Sequence, residues 1–275
     1  MQNQVFHIQN LQCQYISGKT VLEIDQLSIQ KGDLIFLLGP SGVGKSTFIE
    51  TLGLMNKTIA PNENTIIEFY PTTNQMIPLQ NAWQQPDIKL SNFRNQYFSF
   101  IFQNTNLMPN FTAGENMCVS RLINGTPLSE AKKEVLEVMS ELELAPEIFD
   151  KKVTELSGGQ RQRLAFVRAV IANFSVLFGD EPTGNLDKKT AFKLMQILKT
   201  YLLKQNRTGI IVSHDVDLAL AFADKIFLLE SEQVSEKVSI GKILKQNILT
   251  KKNEQWRNAA DTILDNPSNF INNRF

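Results

Sequence analysis

Short apolar runs alternate along this chain with longer stretches whose apolar residues recur every three or four positions. Residues 34–38, Leu-Ile-Phe-Leu-Leu, form a continuous apolar run of the kind carried by a strand buried on both faces. Residues 97–102, 176–178, 209–212 and 226–229 also read as strands. Residues 128–144 and 190–203 read as amphipathic helices, the second with Leu194, Ile197, Leu198 and Tyr201 on one face, and Phe48, Leu52 and Met55 follow residue 47 at helical spacing. Residues 5–8 and 21–29 are hairpin material around an Ile-Ser-Gly-Lys turn at 16–19. Strands alternating with helices predict an α/β fold with a mostly parallel sheet.

Two segments break the rhythm. No glycine occurs between Gly53 and Gly114, and residues 60–90 are rich in Asn, Gln, Thr and Pro, which predicts loops with one or two peripheral strands. Residues 230–275 are polar and end rich in Asn, with helices expected over 240–249 and 256–264.

Composition narrows the class. At 275 residues the chain can bury a full core, and 28 Lys plus Arg balance 28 Asp plus Glu. That neutrality gives no electrostatic signal for nucleic acid, so none is expected as a partner. The longest apolar runs fall well short of the roughly 20 residues of a membrane span. The N-terminus has neither the cationic start nor the apolar stretch of a secretory signal, and a cytoplasmic location is expected. Cys13 and Cys118 are far apart, form no metal or redox motif, and read as buried thiols.

The run GPSGVGKST at 39–47 lies between the 34–38 strand and a helical pattern. Gly39, Gly44, Lys45 and Ser46 hold the fixed positions of G-x-x-x-x-G-K-[ST]; Pro40, Ser41, Gly42 and Val43 fill the loop and Thr47 follows. Backbone N–H groups in such a loop curl around phosphate oxygens, and the helix beyond points its positive end at them.

Two further runs carry chemistry. LSGGQRQR at 156–163 puts Ser157, Gly158, Gly159 and Gln160 at the start of a helix bearing Leu164, Val167 and Ile171. A plain N-cap accounts for Ser157 alone, but two glycines in a first turn have a stability cost and suit a second anion-binding helix end. SVLFGDEPTGNLD at 175–187 ends an apolar strand in Asp180 and Glu181, which point to opposite sides and can take different tasks. With a phosphate loop in the same chain, Asp180 and the Ser46 hydroxyl suit a magnesium shell, and Glu181 suits a general base on water.

Together the phosphate loop, LSGGQ, the DE-ended strand, GNLD and IIVSHD resemble the nucleotide-binding subunit of ABC transporters over about residues 5–229. The resemblance implies a P-loop NTPase (RecA-like) core, an N-terminal antiparallel β subdomain and a helical signature subdomain at about 105–165. Residues 1–229 form the ATP-binding domain in this reading, and 230–275 a C-terminal extension of unknown role. It further implies that Gln103 reaches Mg2+ and the attacking water, that His214 contacts the γ-phosphate and helps position Glu181, and that Tyr15 stacks on adenine, with a core tyrosine as the competing reading. Asp187 matches a loop that crosses the dimer seam, or equally caps the next helix. DEPTGNLD, LSGGQRQR and FQNTNLMP look most like the branch of lipoprotein-releasing, macrolide-exporting and cell-division ATPases.

The implied function is a motor ATPase. Lys45 and the amides of 42–47 hold the β- and γ-phosphates of ATP, with Mg2+ on Ser46, Gln103 and Asp180. Two copies bind head to tail so that LSGGQ of one caps the nucleotide of the other, driving separate transmembrane permease subunits from the cytoplasmic face of the inner membrane. The alternative is a relative that moves no substrate and transmits force or a signal to an extracytoplasmic protein. A soluble ABC protein acting on ribosomes or DNA would carry two such domains or a long coiled coil, and a small-molecule kinase would lack LSGGQ and SHD.

Overall fold

The structure is a computed structural model that describes residues 3–60, 62–235 and 238–275. β1 (Gln4–Ile16) and β2 (Lys19–Gln30) form the long N-terminal hairpin, with the turn where the sequence places it. β3 (Leu34–Leu38) leads through the glycine-rich loop into α1 (Lys45–Leu52). β4 (Ile66–Thr72) and β5 (Gln75–Pro78) then add a second hairpin to the edge of β1. Of the one or two peripheral strands expected over residues 60–90, two are present.

A helix not anticipated there follows, α2 (Asp87–Tyr97). Its Phe93 and Tyr97 rings meet Phe69 at centroid distances of 5.8 and 5.4 Å, so the helix is fixed by aromatic packing onto β4. β6 (Phe98–Ile101) starts directly after it.

α3 (Ala113–Ile123) and α4 (Leu128–Glu141) build the helical part together with the start of α5 (Gly158–Val170). β7 (Val176–Asp180), α6 (Lys188–Lys204), β8 (Thr208–Val212), α7 (Val216–Phe222) and β9 (Lys225–Leu228) complete the alternation. Strands β9, β3, β8, β7 and β6 lie side by side and parallel in that order.

Both faces of this sheet are covered, which is why its strands are unbroken apolar runs. Leu34, Phe36 and Leu38 of β3, with Leu177, Ile211, Ile226 and Leu228, face the helices. Ile35 and Leu37, with Val176, Phe178, Ile210, Val212 and Phe227, face α1 and the hairpin sheet. Phe6, Phe69, Phe98 and Phe178 stack through the second layer at centroid distances of 5.2 to 5.3 Å along the chain of contacts.

The tail differs from expectation. In place of the two helices, β10 (Glu230–Ser235) and β11 (Val238–Lys242) form a hairpin whose second strand pairs parallel with β2. β12 (Ile248–Lys252) pairs antiparallel with β9, and β13 (Gln255–Arg257) pairs with β12. The edge of β9 offers a row of backbone donors and acceptors, and β12 satisfies it by pairing there as a strand. α8 (Pro267–Asn272) then packs on α7 and buries Ile271 completely. The tail thus extends both sheets. Among the described residues no helix is long and apolar enough to cross a membrane.

Candidate active site

Four neighbouring parallel strands end at one edge. β3 delivers the glycine-rich loop, β8 delivers His214, β7 delivers Asp180 and Glu181, and β6 delivers Gln103. In open α/β sheets this carboxyl edge is where ligands bind.

The loop between β3 and α1 depends on glycine at two points. Gly42 and Gly44 hold φ of 78° and 100°, a region closed to most side chains, and Gly44 is the N-cap of α1. That helix has no side-chain cap and no acidic residue in its first turn, so its leading N–H groups and positive end face out of the loop as an anion cradle. Lys45 is 6% exposed and donates to the carbonyls of Gly39 at 2.8 Å and Pro40 at 2.7 Å. Burial pushes its ammonium below the usual lysine value, and the neighbouring Glu181 and Asp180 carboxylates oppose that shift.

Ser46 Oγ donates to Asp180 Oδ1 at 3.1 Å. Two oxygen ligands on adjacent corners of a magnesium octahedron lie about 3.0 Å apart when each is about 2.1 Å from the metal. The hydroxyl and carboxylate therefore fit a hard divalent cation. Burial raises the Asp180 carboxyl above its usual value despite the Ser46 hydrogen bond, so an added positive charge here would relieve a real electrostatic cost. Among the described residues no group of three or more His, Cys, Asp or Glu side chains could hold a metal. The fitting donors are instead one hydroxyl and one carboxylate, with the Gln103 amide nearby on Glu181.

Glu181 is half-buried and has φ of 45°, a left-handed backbone that costs a non-glycine residue about 1–3 kcal/mol unless its surroundings enforce it. Its N–H bonds to the Val212 carbonyl at 3.1 Å. One carboxylate oxygen lies 2.9 Å from His214 Nε2, and the other accepts from Gln103 Nε2 at 3.4 Å. The site thus holds a carboxylate bracketed by an imidazole and an amide beside a phosphate cradle, an arrangement that can orient and deprotonate a water.

Tyr15 lies 56% exposed at the end of β1, which removes the core-tyrosine reading. Its hydroxyl sits 3.1 Å from Thr47 Oγ1, leaving the ring open beside the cradle where a planar base could stack.

Ser157, Gly158, Gly159, Gln160 and Asp187 are elsewhere. Ser157 caps α5 in a reciprocal box: Gln160 N donates to Ser157 Oγ at 3.2 Å and Ser157 N to Gln160 Oε1 at 2.9 Å. Gly158 has open space where a side chain would be. Asp187 caps α6 by accepting from the Thr190 backbone and hydroxyl at 3.0 and 2.6 Å, bonds that hold its carboxyl below the usual value. Among the described residues none of these five bonds to the 39–47 loop of the same chain.

Three residues outside the expected set border the site. Gln162, 2% exposed, donates through Nε2 to the Pro182 carbonyl at 2.6 Å. Arg168 donates to the carbonyls of Asn106 and Thr105, each at 2.7 Å. At Gly241 of β11 a side chain would begin 1.8 Å from the Val43 carbonyl oxygen, so the tail hairpin lies directly against the phosphate loop. The available signal for Gln162 was a polar residue at an inward helical position among Ala165, Phe166 and Ala169.

Comparisons with known proteins give the family and the fold. The ABC transporter family model matches residues 22–184, more than half of the chain. The chain is 33% identical over 233 residues to the lipoprotein-releasing system ATP-binding protein LolD of Rickettsia felis, covering 84% of this chain and 97% of that protein. It is 34% identical over 211 residues to the uncharacterized ABC transporter ATP-binding protein MJ0796 of Methanocaldococcus jannaschii, covering 76% and 84%. A dimeric structure of the MJ0796 cassette in a post-hydrolysis state with ADP and Pi superposes with a TM-score of 0.72 at 28% identity, covering 86% of this chain and 96% of that one. The chain belongs to the ABC transporter family, as an ATP-hydrolysing cassette with a P-loop NTPase fold.

Proposed function

We propose that this chain is the motor subunit of an ABC transporter, binding Mg-ATP between two head-to-tail copies and driving movement of separate membrane subunits. One observation carries the reading: the Glu181 carboxylate is held by His214 and Gln103 at the mouth of the Lys45–Ser46 cradle, while Ser157 lies exposed and unbonded to that cradle in its own chain. In this reading the cap for the nucleotide comes from a second copy.

The reaction is attack of water on the γ-phosphate of ATP. Lys45 exchanges its two carbonyl partners for phosphate oxygens, and the amides of the loop and of the first turn of α1 donate to the rest. Tyr15 offers its ring to the adenine. Glu181 takes the proton of the attacking water, its carboxylate aimed by His214 and Gln103, with His214 also facing the γ-phosphate. Ser46 and Asp180, with Gln103, would hold Mg2+, which supplies positive charge to the phosphate oxygens when bound. Ser157, Gly158, Gly159 and Gln160 present a helix N-terminus to the partner's nucleotide, and Asp187 approaches the same seam. The resemblance to lipoprotein-releasing relatives supports membrane subunits as partners and a peripheral place on the cytoplasmic face of the inner membrane.

The test is dimerisation driven by ATP. Glu181→Gln should run as a dimer in light scattering when ATP and Mg2+ are added and as a monomer without them. Adding Ser157→Arg should keep ATP binding and abolish the dimer. A dimer that persists in the double variant removes the cap-in-trans reading. Co-purification of the native complex from detergent-solubilised membrane then identifies the membrane subunits.

A further inference from the structure

α5 runs from the exposed Ser157 cap back beneath the sheet, spanning about 20 Å for its 13 residues. Leu164, Phe166 and Val167 bury its apolar side in the core. A helix embedded in this way moves as one body.

Two polar side chains leave it toward the hydrolytic edge, and each ends on a backbone carbonyl close to a water-activating residue. Gln162 holds the carbonyl of Pro182, the residue directly after Glu181. Arg168 spreads two nitrogens over the carbonyls of Thr105 and Asn106, two and three residues after Gln103. Both segments are in left-handed backbone, with φ of 45° at Glu181, 53° at Thr105 and 45° at Asn106. Non-glycine residues persist there only where neighbouring contacts over-determine them. Glu181 donates its N–H to the Val212 carbonyl and accepts at its own carbonyl from the Gly184 N–H, and the Gln162 bond holds the next carbonyl along, that of Pro182.

From this we propose that Gln162 and Arg168 are positioning residues, a two-point clamp through which the helix bearing Ser157 sets where Glu181 and Gln103 stand. This rests on the ATPase reading above and deepens it. When the partner's nucleotide engages Ser157, any displacement of α5 reaches the hydrolytic pair of the same chain through these two bonds. The helix end that touches one nucleotide thereby adjusts catalysis at the other.

Full-length Gln162→Met keeps side-chain length and Arg168→Met keeps an apolar stem, and both remove the donors, while Arg168→Lys retains a cationic donor. In the nucleotide-free protein, amide hydrogen exchange should quicken at residues 183–186 in Gln162→Met and at 105–108 in Arg168→Met, with core strands unchanged. In steady-state hydrolysis each Met variant should lose about tenfold or more in kcat, with KM for ATP within about twofold. Arg168→Lys should recover most of the loss. Unchanged exchange at both segments overturns the clamp, as does an unaltered kcat. So does a loss in which kcat, KM and melting temperature fall together and Arg168→Lys gives no rescue, because that is simple loosening of the core. A parent chain that hydrolyses no ATP fails the ATPase reading instead, and the exchange comparison still decides the clamp.

Discussion

The Glu181 carboxylate and the His214 imidazole meet at 2.9 Å across the ends of two adjacent parallel strands, β7 and β8. The contact is possible because Glu181 leaves its strand in a left-handed turn, which swings the side chain toward the neighbouring strand and away from the direction of Asp180. Two consecutive acids therefore serve different places. Asp180 stays with Ser46 at 3.1 Å, and Glu181 stands with His214 and Gln103.

In the proposed mechanism, replacing Glu181 by Gln keeps the shape and removes the base. Hydrolysis should fall by ~10²–10⁴, the usual worth of a positioned base, while ATP binding persists. Steady-state phosphate release against ATP titration checks this, and near-normal turnover would remove Glu181 from the role.

His214→Ala tests the other half of the contact. It leaves Glu181 held by Gln103 at 3.4 Å alone. kcat should fall by about tenfold to a hundredfold with little change in melting temperature, since His214 is exposed and leaves no buried cavity. A large melting shift with unchanged kcat would make the histidine structural.

Gly241→Ala probes the tail hairpin. The new Cβ would begin 1.8 Å from the Val43 carbonyl oxygen and 3.0 Å from its carbon, both backbone atoms, so loop or hairpin has to move. Overpacking of this kind costs about 1–3 kcal/mol. If the phosphate loop yields, ATP affinity falls by about tenfold. A titration giving unchanged affinity with a lowered melting temperature would mean that the hairpin absorbs the clash.

How much of this was legible follows from what each motif demands. The phosphate loop sits where a strand must end and its residue types are dictated by the ligand, so its spacing finds it, and the Asp180–Glu181 pair gains meaning from a phosphate loop in the same chain; His214 is reached only through the resemblance to ABC cassettes. The β1–β2 hairpin is equally local. Gln162 and Arg168 escaped because their partners are backbone carbonyls, of Pro182, Thr105 and Asn106, which leave no mark in residue type. The tail escaped for another reason. Leu249 lies in one expected helix and Trp256 in the other, and only long-range pairing, of β12 with the edge of β9 and of β13 with β12, makes them strand residues.

The tail's anchoring is testable at Arg274. It donates to the Glu230 carboxylate at 2.8 Å and to the side-chain Oδ1 of the fully buried Asn247 at 2.6 Å. Arg274→Ala should cost about 1–3 kcal/mol, largely because a buried acceptor loses its partner. Ile271→Ala, at a side chain with no exposure, should cost about 2–5 kcal/mol through cavity formation. Denaturant melts of both variants read these values directly. Wild-type stability in both would detach α8 from the fold.

The raised Asp180 carboxyl gives a prediction with a definite sign. Burial lifts it above the ordinary value of 3.8, so the native chain holds this proton more tightly than the unfolded chain does. The proton-linked stability is complete below that ordinary value and is lost as pH rises through the raised one. Once pH has risen through that raised value, the ligand-free protein carries an ionised, partly desolvated carboxylate at a cost. Asp180→Asn removes it, so the ligand-free variant should melt at the same temperature as the parent or higher at pH 7, and that advantage should shrink as pH is lowered toward 5. The same substitution should abolish Mg2+-dependent hydrolysis, because a neutral amide cannot offset a divalent charge beside Ser46. With Asp180 as the proposed Mg2+ ligand, protons and Mg2+ would compete for it in the parent, so the Mg2+ concentration needed for half-maximal activity should rise as pH falls. Matched thermal melts at pH 7 and pH 5 with a magnesium titration at each decide it. If the asparagine variant is less stable than the parent at pH 7, Asp180 is a net stabiliser of the ligand-free fold and this account of its strain is wrong.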